Sequence, residues 1–576
     1  MLNLNFLWSK WAVFCFLTII IFAVFGRAIW FDYVNLDEGV LLISNEFFIT
    51  KIGNIFEVFK HDINYPSVAA PYYRPMFVLS FMLNSQLASS SMAYHIGNIL
   101  LHVFVSYLIF LLFIELGFKK LISAAFASFF AVHPAVTAIV AWVPGRIEAT
   151  LAIFVVLSFL FFIKFLKTDR WLYLGLYFVV FALGLLTKEL ILFLPVWLFF
   201  YFMTSDVRWT SDVKTRSRRI SNVRILTWLG GSAVIMTTWF FIRKIILDKI
   251  QLVDLSLFKM LVIMWSNILA ILLYLGKILL PFDLTVLPVL EKSGFIYGSV
   301  VLAVILALFW IGRRMSPQTT NIRILGLVWF VIFLAPSLVS YDQPVRMIFF
   351  EHRLYLPMLG LFIFFISLVP EHRTSYRFLL PAAGVFVLFS VLAFNYSGFY
   401  KDKMTFWQKA VADSPQSSRA HNGLASSYIV DGKLEEAEAE FKKALALNPK
   451  EKRIHLLLGL SYLDKKMYSE AQTELEKEIE VDPKQFVAYH NLGRIYAQNK
   501  NLKKAEEFFL KTVEINPDYV LARQDLVVLY YSQNKHSQAV VQLKELLRVQ
   551  KPEVMHPQIL KILETYAKEA TRQQGF

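Results

Sequence analysis

Long apolar runs follow one another through the first 400 positions, broken by short polar stretches, and cease near residue 395. A run of about 20 apolar residues crosses a bilayer as a helix, because hydrocarbon offers backbone N–H and C=O groups no other partners. Such runs lie at 11–30, 94–116, 121–141, 147–166, 171–187, 189–203, 225–243, 258–280, 296–312, 322–340, 354–370 and 376–395. Lys119 and Lys120, then Lys164, Lys167 and Arg170, then the six basic residues between Arg208 and Arg224, mark alternate loops as cytoplasmic. The N-terminus is therefore expected inside and the loop 31–93 outside. Beyond residue 243 two counts remain. If 258–280 crosses, there are 12 spans and the polar tail is cytoplasmic; if it is re-entrant or interfacial, there are 11 and the tail faces outside. With 11, the loops holding Arg313, Arg314, Arg323, Arg373 and Arg377 are cytoplasmic. With 12, Arg346 and Arg353 take that side, together with Lys401 and Lys403. The margin is one charge, and the motifs below favour 11.

After residue 400 the pattern becomes a repeat. Pro415, Pro449, Pro483 and Pro517 recur every 34 residues, as do Tyr428, Tyr462, Tyr496 and Tyr530, with Ala437, Ala471, Ala505 and Ala539 in the same register. That period reads as tetratricopeptide repeats, each a helix pair in which Tyr fills the gap to its neighbour, Ala permits close approach and Pro ends the second helix. The expected fold is all-α: a polytopic helix bundle of about 11 spans, then an α-solenoid. The expected division is 1–398 for the membrane domain, 399–415 for a linker and leading helix, 416–551 for four repeats and 552–576 for a capping helix. A repeat groove binds extended peptides, and His421, Asn422, His455, His490, Asn491, Arg523 and Gln524 are expected to line it. The alternative is that they are ordinary solvated positions.

Composition agrees with this two-part reading. Apolar residues make up 57% of the chain, and the mean hydropathy is +0.53. Of the net charge of +15, only +3 falls in residues 400–576. The basic excess belongs to membrane topology, so nucleic acid is excluded as a partner. Cys15 is the one cysteine, which excludes internal disulfides and cysteine metal sites. No small-residue cleavage site follows the first apolar run, so 11–30 is expected to be retained.

Polar residues that interrupt this chain carry the candidate chemistry. Asp37-Glu38 follows the first run directly; a carboxylate pair at a membrane surface can supply a general base, although a solvated acidic helix start looks the same in sequence. His95, Asn98 and His102 share one face of an otherwise apolar helix, where they serve either inter-helix hydrogen bonding or a wet cavity. Their two-turn separation is too great for one metal ion without further ligands. His133-Pro134, Gly145-Arg146-Ile147-Glu148, Lys188-Glu189 and Glu351-His352-Arg353 all come to one external face if there are 11 spans. Arg74, Arg146, Lys188 and Arg353 would then ring a site with Asp37 and Glu38 at its edge. Guanidinium forks and a lysine suit a phosphate; singly, each cation also reads as an interfacial anchor.

The ordered set consists of Asp37-Glu38 after the first span, Tyr73-Arg74-Pro75, Ala93-x-His95-x-x-Asn98-x-x-x-His102, His133-Pro134, Gly145-Arg146-x-Glu148, Leu185-Leu186-Thr187-Lys188-Glu189 and Glu351-x-Arg353-Leu354-Tyr355-x-Pro357, then the repeats. It resembles the transmembrane and tetratricopeptide repeat-containing O-mannosyltransferases and their bacterial relatives, in the GT-C class of membrane glycosyltransferases. The resemblance implies transfer of a sugar from a polyprenyl-phosphate-linked donor to a protein or glycan acceptor at the extracytoplasmic face, with Asp37 as catalytic carboxylate and Arg353 as the membrane-face arginine. It implies an integral protein in contact with membrane lipid, with a bacterial inner membrane as the expected location. One departure stands out. Where the family usually carries an acid five positions after the histidine of His-Pro, this chain has Ala138, and His352 between Glu351 and Arg353 is a further variation. The second carboxylate is then supplied by Glu148 or is absent. No nucleotide or resident cofactor is called for, which leaves a divalent cation as the candidate helper. Two other classes remain open: a membrane-anchored scaffold without catalysis, and a transporter, which would need ionisable groups near mid-bilayer. The sugar and the acceptor are not readable from the sequence.

Overall fold

The computed structural model describes residues 9–65, 70–204, 222–248, 256–282, 284–288, 294–315, 319–339, 350–369, 376–549 and 557–573. Arg208, Lys214, Arg216, Arg218, Arg219, Arg346 and Arg373, on which part of the charge count rested, lie outside them. The chain divides into two compact units, Met1–Pro415 and Gln416–Phe576. Among the described residues both are built of helices, without strands.

In the first unit, the apolar runs take three forms. Seven helices are long and apolar enough to cross a bilayer: Lys10–Trp30, Ser91–Glu115, Val143–Thr168, Val223–Leu247, Phe295–Arg314, Thr320–Leu338 and Pro381–Tyr400. Two runs are helix pairs bent at a short break, Lys120–Ala131 with Pro134–Ala141 by 54° and Phe258–Ser266 with Ala270–Leu279 by 53°. The first bend has a local cause: Pro134 has no N–H to continue the helix, and the His133 ring caps the new turn by accepting the Ala135 N–H at 3.2 Å. Trp171–Leu185 and Glu189–Thr204 are shorter apolar helices, as is Tyr355–Ile366, whose 12 residues reach only about 18 Å.

The helix Ser91–Glu115 runs through the core, its start capped by the Ser90 hydroxyl, which accepts the Ala93 N–H. Glycine sets the closest crossing. A Cβ on Gly326 would meet the Gly360 carbonyl at 2.5 Å, and one on Gly360 the Gly326 carbonyl at 2.4 Å, so Thr320–Leu334 and Tyr355–Ile366 pack backbone to backbone. Trp197 and Trp329 fill the space beside them and donate to the Leu325 and Leu356 carbonyls at 2.9 and 2.8 Å. Trp11, Ile19, Leu172, Ile245 and Trp310 stay exposed, which suits a surface covered by lipid.

The first and last long helices of this unit end side by side. Arg27 Nε donates to Ser397 Oγ at 3.1 Å, and its guanidinium also reaches the Phe394 carbonyl. The Asp32 N–H donates to the Lys401 carbonyl at 2.8 Å, and Trp407 Nε1 to the Val34 carbonyl at 3.1 Å. The chain therefore leaves the bundle beside the loop that follows the first span. Residues flanking the bent pair 258–279 meet this same set of loops: Arg243 bonds the Pro71 carbonyl before it, and the Thr285 N–H bonds Glu351 after it.

The second unit holds four helix pairs, Ser418–Val430 with Leu434–Leu447, Ile454–Asp464 with Tyr468–Val481, Phe486–Gln498 with Leu502–Ile515, and Val520–Ser532 with His536–Val549, then Pro557–Gln573. Ala437, Ala471, Ala505 and Ala539 are fully buried. Tyr462, Tyr496 and Tyr530 each bond back to the preceding pair, on Glu438, Gln472 and Glu506 at 2.7, 3.1 and 3.1 Å. Each turn within a pair uses a left-handed residue in the same register: Gly432, Lys466, Lys500 and Asn534.

The expected groove lining needs correction. His421, His490, Asn491 and Arg523 are buried. His421 and His455 face Glu440 and Glu474 of their own second helices at 2.5 and 2.6 Å, His490 faces Asp525 at 2.8 Å, and Arg523 donates to Gln542 at 3.0 Å. Asn422 and Gln524 are half-buried. Of the seven positions expected to line the groove, His421, His455, His490 and Arg523 thus face partners on neighbouring helices and hold the solenoid together.

Candidate active site

The loop after the first span turns sharply at Asn35, whose φ of 56° is left-handed, and so presents Leu36-Asp37-Glu38. Glu38 is buried, with 1% of its surface exposed. Its Oε2 accepts the backbone N–H groups of Leu36 at 3.0 Å and Asp37 at 3.2 Å. Burial pushes its carboxyl up to about 7, and the charge of Asp37 adds to the rise. Asp37 is exposed beside it.

Glu351-His352-Arg353 forms a short turn leading into Tyr355–Ile366. Glu351 is buried; its carboxylate takes Lys277 Nζ at 2.5 Å, the Thr285 N–H at 2.9 Å and the Tyr396 hydroxyl at 3.2 Å. His352 stacks on Phe350, with ring centroids 5.0 Å apart, and packs near Trp142 at 5.4 Å. Arg353 donates to the Ser337 carbonyl at 3.2 Å. Between the two loops lies a small, narrow cleft lined by Leu36, Ala138, Trp142, Glu351, His352 and Tyr400, among others. Its walls thus carry the chain neighbours of Asp37 and of Arg353.

Beside this lies an alternating row of charge. Lys188 forms an ion pair with the buried Glu148 and sits in the field of Arg74 and Arg353. Arg74 donates to Glu189 at 3.0 Å and lies 4.3 Å from the Tyr72 ring centroid. Glu189 feels both Arg74 and Arg243.

Arg146 differs from the other cations of the expected ring. It is buried, and its guanidinium donates to Asn98 Oδ1 at 2.8 Å, Asn84 Oδ1 at 3.0 Å, the Tyr94 carbonyl at 2.6 Å and the Ser80 carbonyl at 3.2 Å. With those donors engaged and Phe81 4.5 Å from its carbon, it is a post that fixes loop geometry. Asn98 completes the knot by donating to the Trp142 carbonyl at 3.0 Å.

The histidines are likewise interior. His102 Nε2 faces the Ala131 carbonyl at 2.9 Å and must carry the proton, so Nδ1 accepts from the Tyr355 hydroxyl at 2.7 Å. His133 Nε2 donates to the Ile278 carbonyl at 2.8 Å. His95 packs edge-on against Phe31, centroids 6.2 Å apart. Among the described residues no three His, Cys, Asp or Glu side chains gather to hold a metal ion. Lys277 and Arg243 were not among the expected site residues. The signal available for Lys277 was a cation inside an apolar run.

Fold and site together describe a helical membrane domain with an acid–base rimmed face, followed by tetratricopeptide repeats. Comparison with known proteins gives the same two parts. Residues 74–229 match the dolichyl-phosphate-mannose-protein mannosyltransferase family, and residues 406–452, 431–492 and 486–519 match tetratricopeptide repeat families. Over 20% of its length the chain is similar to protein O-mannosyl-transferases. It is 32% identical to Tmtc1 of Drosophila melanogaster over 118 residues, 20% of this chain and 14% of that protein. It is 37% identical to TMTC3 of Mus musculus over 121 residues, 20% of this chain and 13% of that one. The matched stretches thus span a small part of those relatives. Among solved structures, Pseudomonas aeruginosa PilF is 23% identical with a TM-score of 0.26, covering 29% of this chain and 77% of its own. The family match at 74–229 includes Arg74, Arg146, Glu148, Lys188 and Glu189, while Asp37, Glu38 and Arg353 lie outside it.

Proposed function

We propose that this protein is a membrane glycosyltransferase that moves a sugar, mannose by the likeness of residues 74–229, from a polyprenyl-phosphate donor to an acceptor hydroxyl. The observation that supports the reading is the small cleft that Leu36 and His352 both line, the chain neighbours of the candidate base Asp37 and of the candidate phosphate-binding Arg353. Asp37 takes the proton of the acceptor hydroxyl as that oxygen attacks the anomeric carbon. The bond from that carbon to the phosphate oxygen breaks, the lipid phosphate leaves with the bonding pair, and the configuration inverts. Arg353, Lys188 and Arg74 stabilise the charge that builds on the leaving phosphate. Arg146 and the three buried histidines hold these loops in place.

The extracytoplasmic face is supported by two sets of contacts. The chain leaves the bundle beside Asp32 and Val34, and the bent pair 258–279 has loop residues of this face on both flanks. A bent pair that enters and leaves on one side makes the number of crossings odd, so the repeats follow the 31–93 loop outside. There they recruit the acceptor polypeptide or an assembly partner.

Transfer of labelled mannose from a synthetic polyprenyl-phosphate donor by purified protein tests the reading, with Asp37→Asn and Arg353→Ala beside the wild type. Turnover lost in both variants is expected. Wild-type protein that binds the donor without turnover across several sugars and acceptors would point to the scaffold, the reading that Ala138 in the cleft favours.

A further inference from the structure

Near Glu189, three buried donors have no acceptor among the described residues: Arg74 Nε, Arg243 Nε and Trp239 Nε1. Buried N–H groups are nearly always paired, so a cluster of orphans marks a missing acceptor. The three belong to one place. Trp239 and Arg243 are four apart on the helix Asn222–Leu247 and share a face, with the guanidinium 5.9 Å from the indole centroid. Arg243 donates to the Pro71 carbonyl at 3.4 Å, three residues before Arg74, and Arg74 holds Glu189 at 3.0 Å. A guanidinium carries five N–H donors. Arg146 engages its own with four protein acceptors, whereas Arg74 and Arg243 meet one each among the described residues.

An anion would match these donors. Arg353, Lys188, Arg74 and Arg243 stand against Glu148 and Glu189, which leaves two positive charges in surplus along the row. A phosphate monoester carries about −1.5 to −2 at neutral pH and offers three acceptor oxygens, whereas a phosphodiester carries a single negative charge. The row therefore matches a leaving lipid monophosphate better than the intact donor. Binding that strengthens as charge develops is what accelerates a transfer.

We propose that Arg243, backed by Trp239, joins Arg74 in a phosphate-monoester subsite that receives the lipid phosphate as it leaves. This rests on the phosphate reading of the same face. Arg243 lies beyond the family match, which ends at residue 229.

Binding of a short polyprenyl monophosphate to the full chain in nanodiscs tests the subsite, with the uncharged polyprenol and inorganic phosphate as parallel ligands. Wild type is expected to prefer the monophosphate to the polyprenol. Arg243→Gln should weaken monophosphate binding roughly tenfold and leave polyprenol binding and thermal unfolding unchanged, Arg243→Lys should recover part of the loss, and Trp239→Phe should lose less. Inorganic phosphate that competes fully with the lipid would assign the subsite to free phosphate and overturn the leaving-group role. Equal monophosphate binding by wild type and Arg243→Gln overturns the inference while leaving the transferase reading intact. A wild type that does not distinguish monophosphate from polyprenol sinks the phosphate reading of the whole row. Should Arg243→Gln fail to fold, Arg243→Lys and Trp239→Phe decide, since unchanged binding in both overturns the subsite.

Discussion

Glu38 accepts the backbone N–H of Asp37 at 3.2 Å, so the protonation state of the buried acid bears on the placement of the exposed one. With the Glu38 carboxyl raised to about 7 by burial, its charge changes near neutral pH. As carboxylate it holds the Asp37 N–H; as acid it binds that group more weakly. Transfer by wild type is expected to rise through about pH 7 and to lose that step in Glu38→Gln, read from kcat/KM against pH. Stability runs the other way. A carboxyl raised above its unfolded value of 4.5 binds its proton more tightly in the fold, so its contribution is fully present below about 4.5 and is lost as pH rises through about 7. Glu38→Gln should flatten the pH dependence of thermal unfolding across this window.

The ion pair of Lys188 with Glu148 is a second test of charge balance. Glu148 is 2% exposed on its side chain and Lys188 21%, so removing one partner strands the other away from water. Lys188→Met is expected to cost about 3–5 kcal/mol, and Lys188→Met with Glu148→Gln markedly less. Thermal unfolding of the two variants decides, and equal losses would sink the idea that the pair is coupled.

What the sequence made legible follows from what sets each feature. The period of 34 fixes the repeats because each pair must present the same Tyr and Ala to its neighbour, and the structure keeps even the left-handed turn residue in register. Apolar runs placed the helices for the same kind of reason, since lipid demands them. Arg146 and Arg74 could not be told apart by pattern, as both follow a turn and precede a helix. Their roles depend on what comes from elsewhere: Asn84, Tyr94 and Asn98 close around Arg146, whereas Arg74 meets Glu189 from 115 positions away. His421 and His455 were misplaced for a related reason. A polar residue on a solenoid helix reads as solvated until the carboxylate 19 residues on is seen to face it.

Gly97 lies under the Arg146 knot, and a Cβ there would sit 2.1 Å from Asn84 Oδ1 and 3.1 Å from an Arg146 nitrogen. Asn84 cannot yield freely, because it also donates to the Ala93 carbonyl at 3.0 Å. Gly97→Ala is expected to destabilise by about 1–3 kcal/mol, and Arg146→Lys by a similar amount, since an ammonium cannot reproduce the fork. Both should raise hydrogen exchange in residues 75–98 while leaving the repeats unchanged. Protection lost uniformly over the chain would argue against a local post.

Ala138 is the position at which a missing acid can be tested directly. It lines the cleft with Glu351, and Glu351 is already held by Lys277, the Thr285 N–H and Tyr396. Glu148, the candidate for a second carboxylate, is tied to Lys188, whereas Glu351 lines the space beside Ala138. A second acid introduced there would meet burial and a like charge together, and both disfavour its ionised form. Ala138→Glu is therefore expected to lower transfer by about tenfold or more, a change of about 1.4 kcal/mol in barrier. Ala138→Ser, which adds a hydroxyl and little volume, should stay within about threefold of wild type. Measured under one donor concentration series, a loss in Ala138→Glu that appears in kcat rather than KM would place the effect at the reacting centre. A gain in Ala138→Glu would mean that the wild-type cleft lacks an acid its chemistry can use, and Glu351 would then be a structural anchor for Arg353 alone.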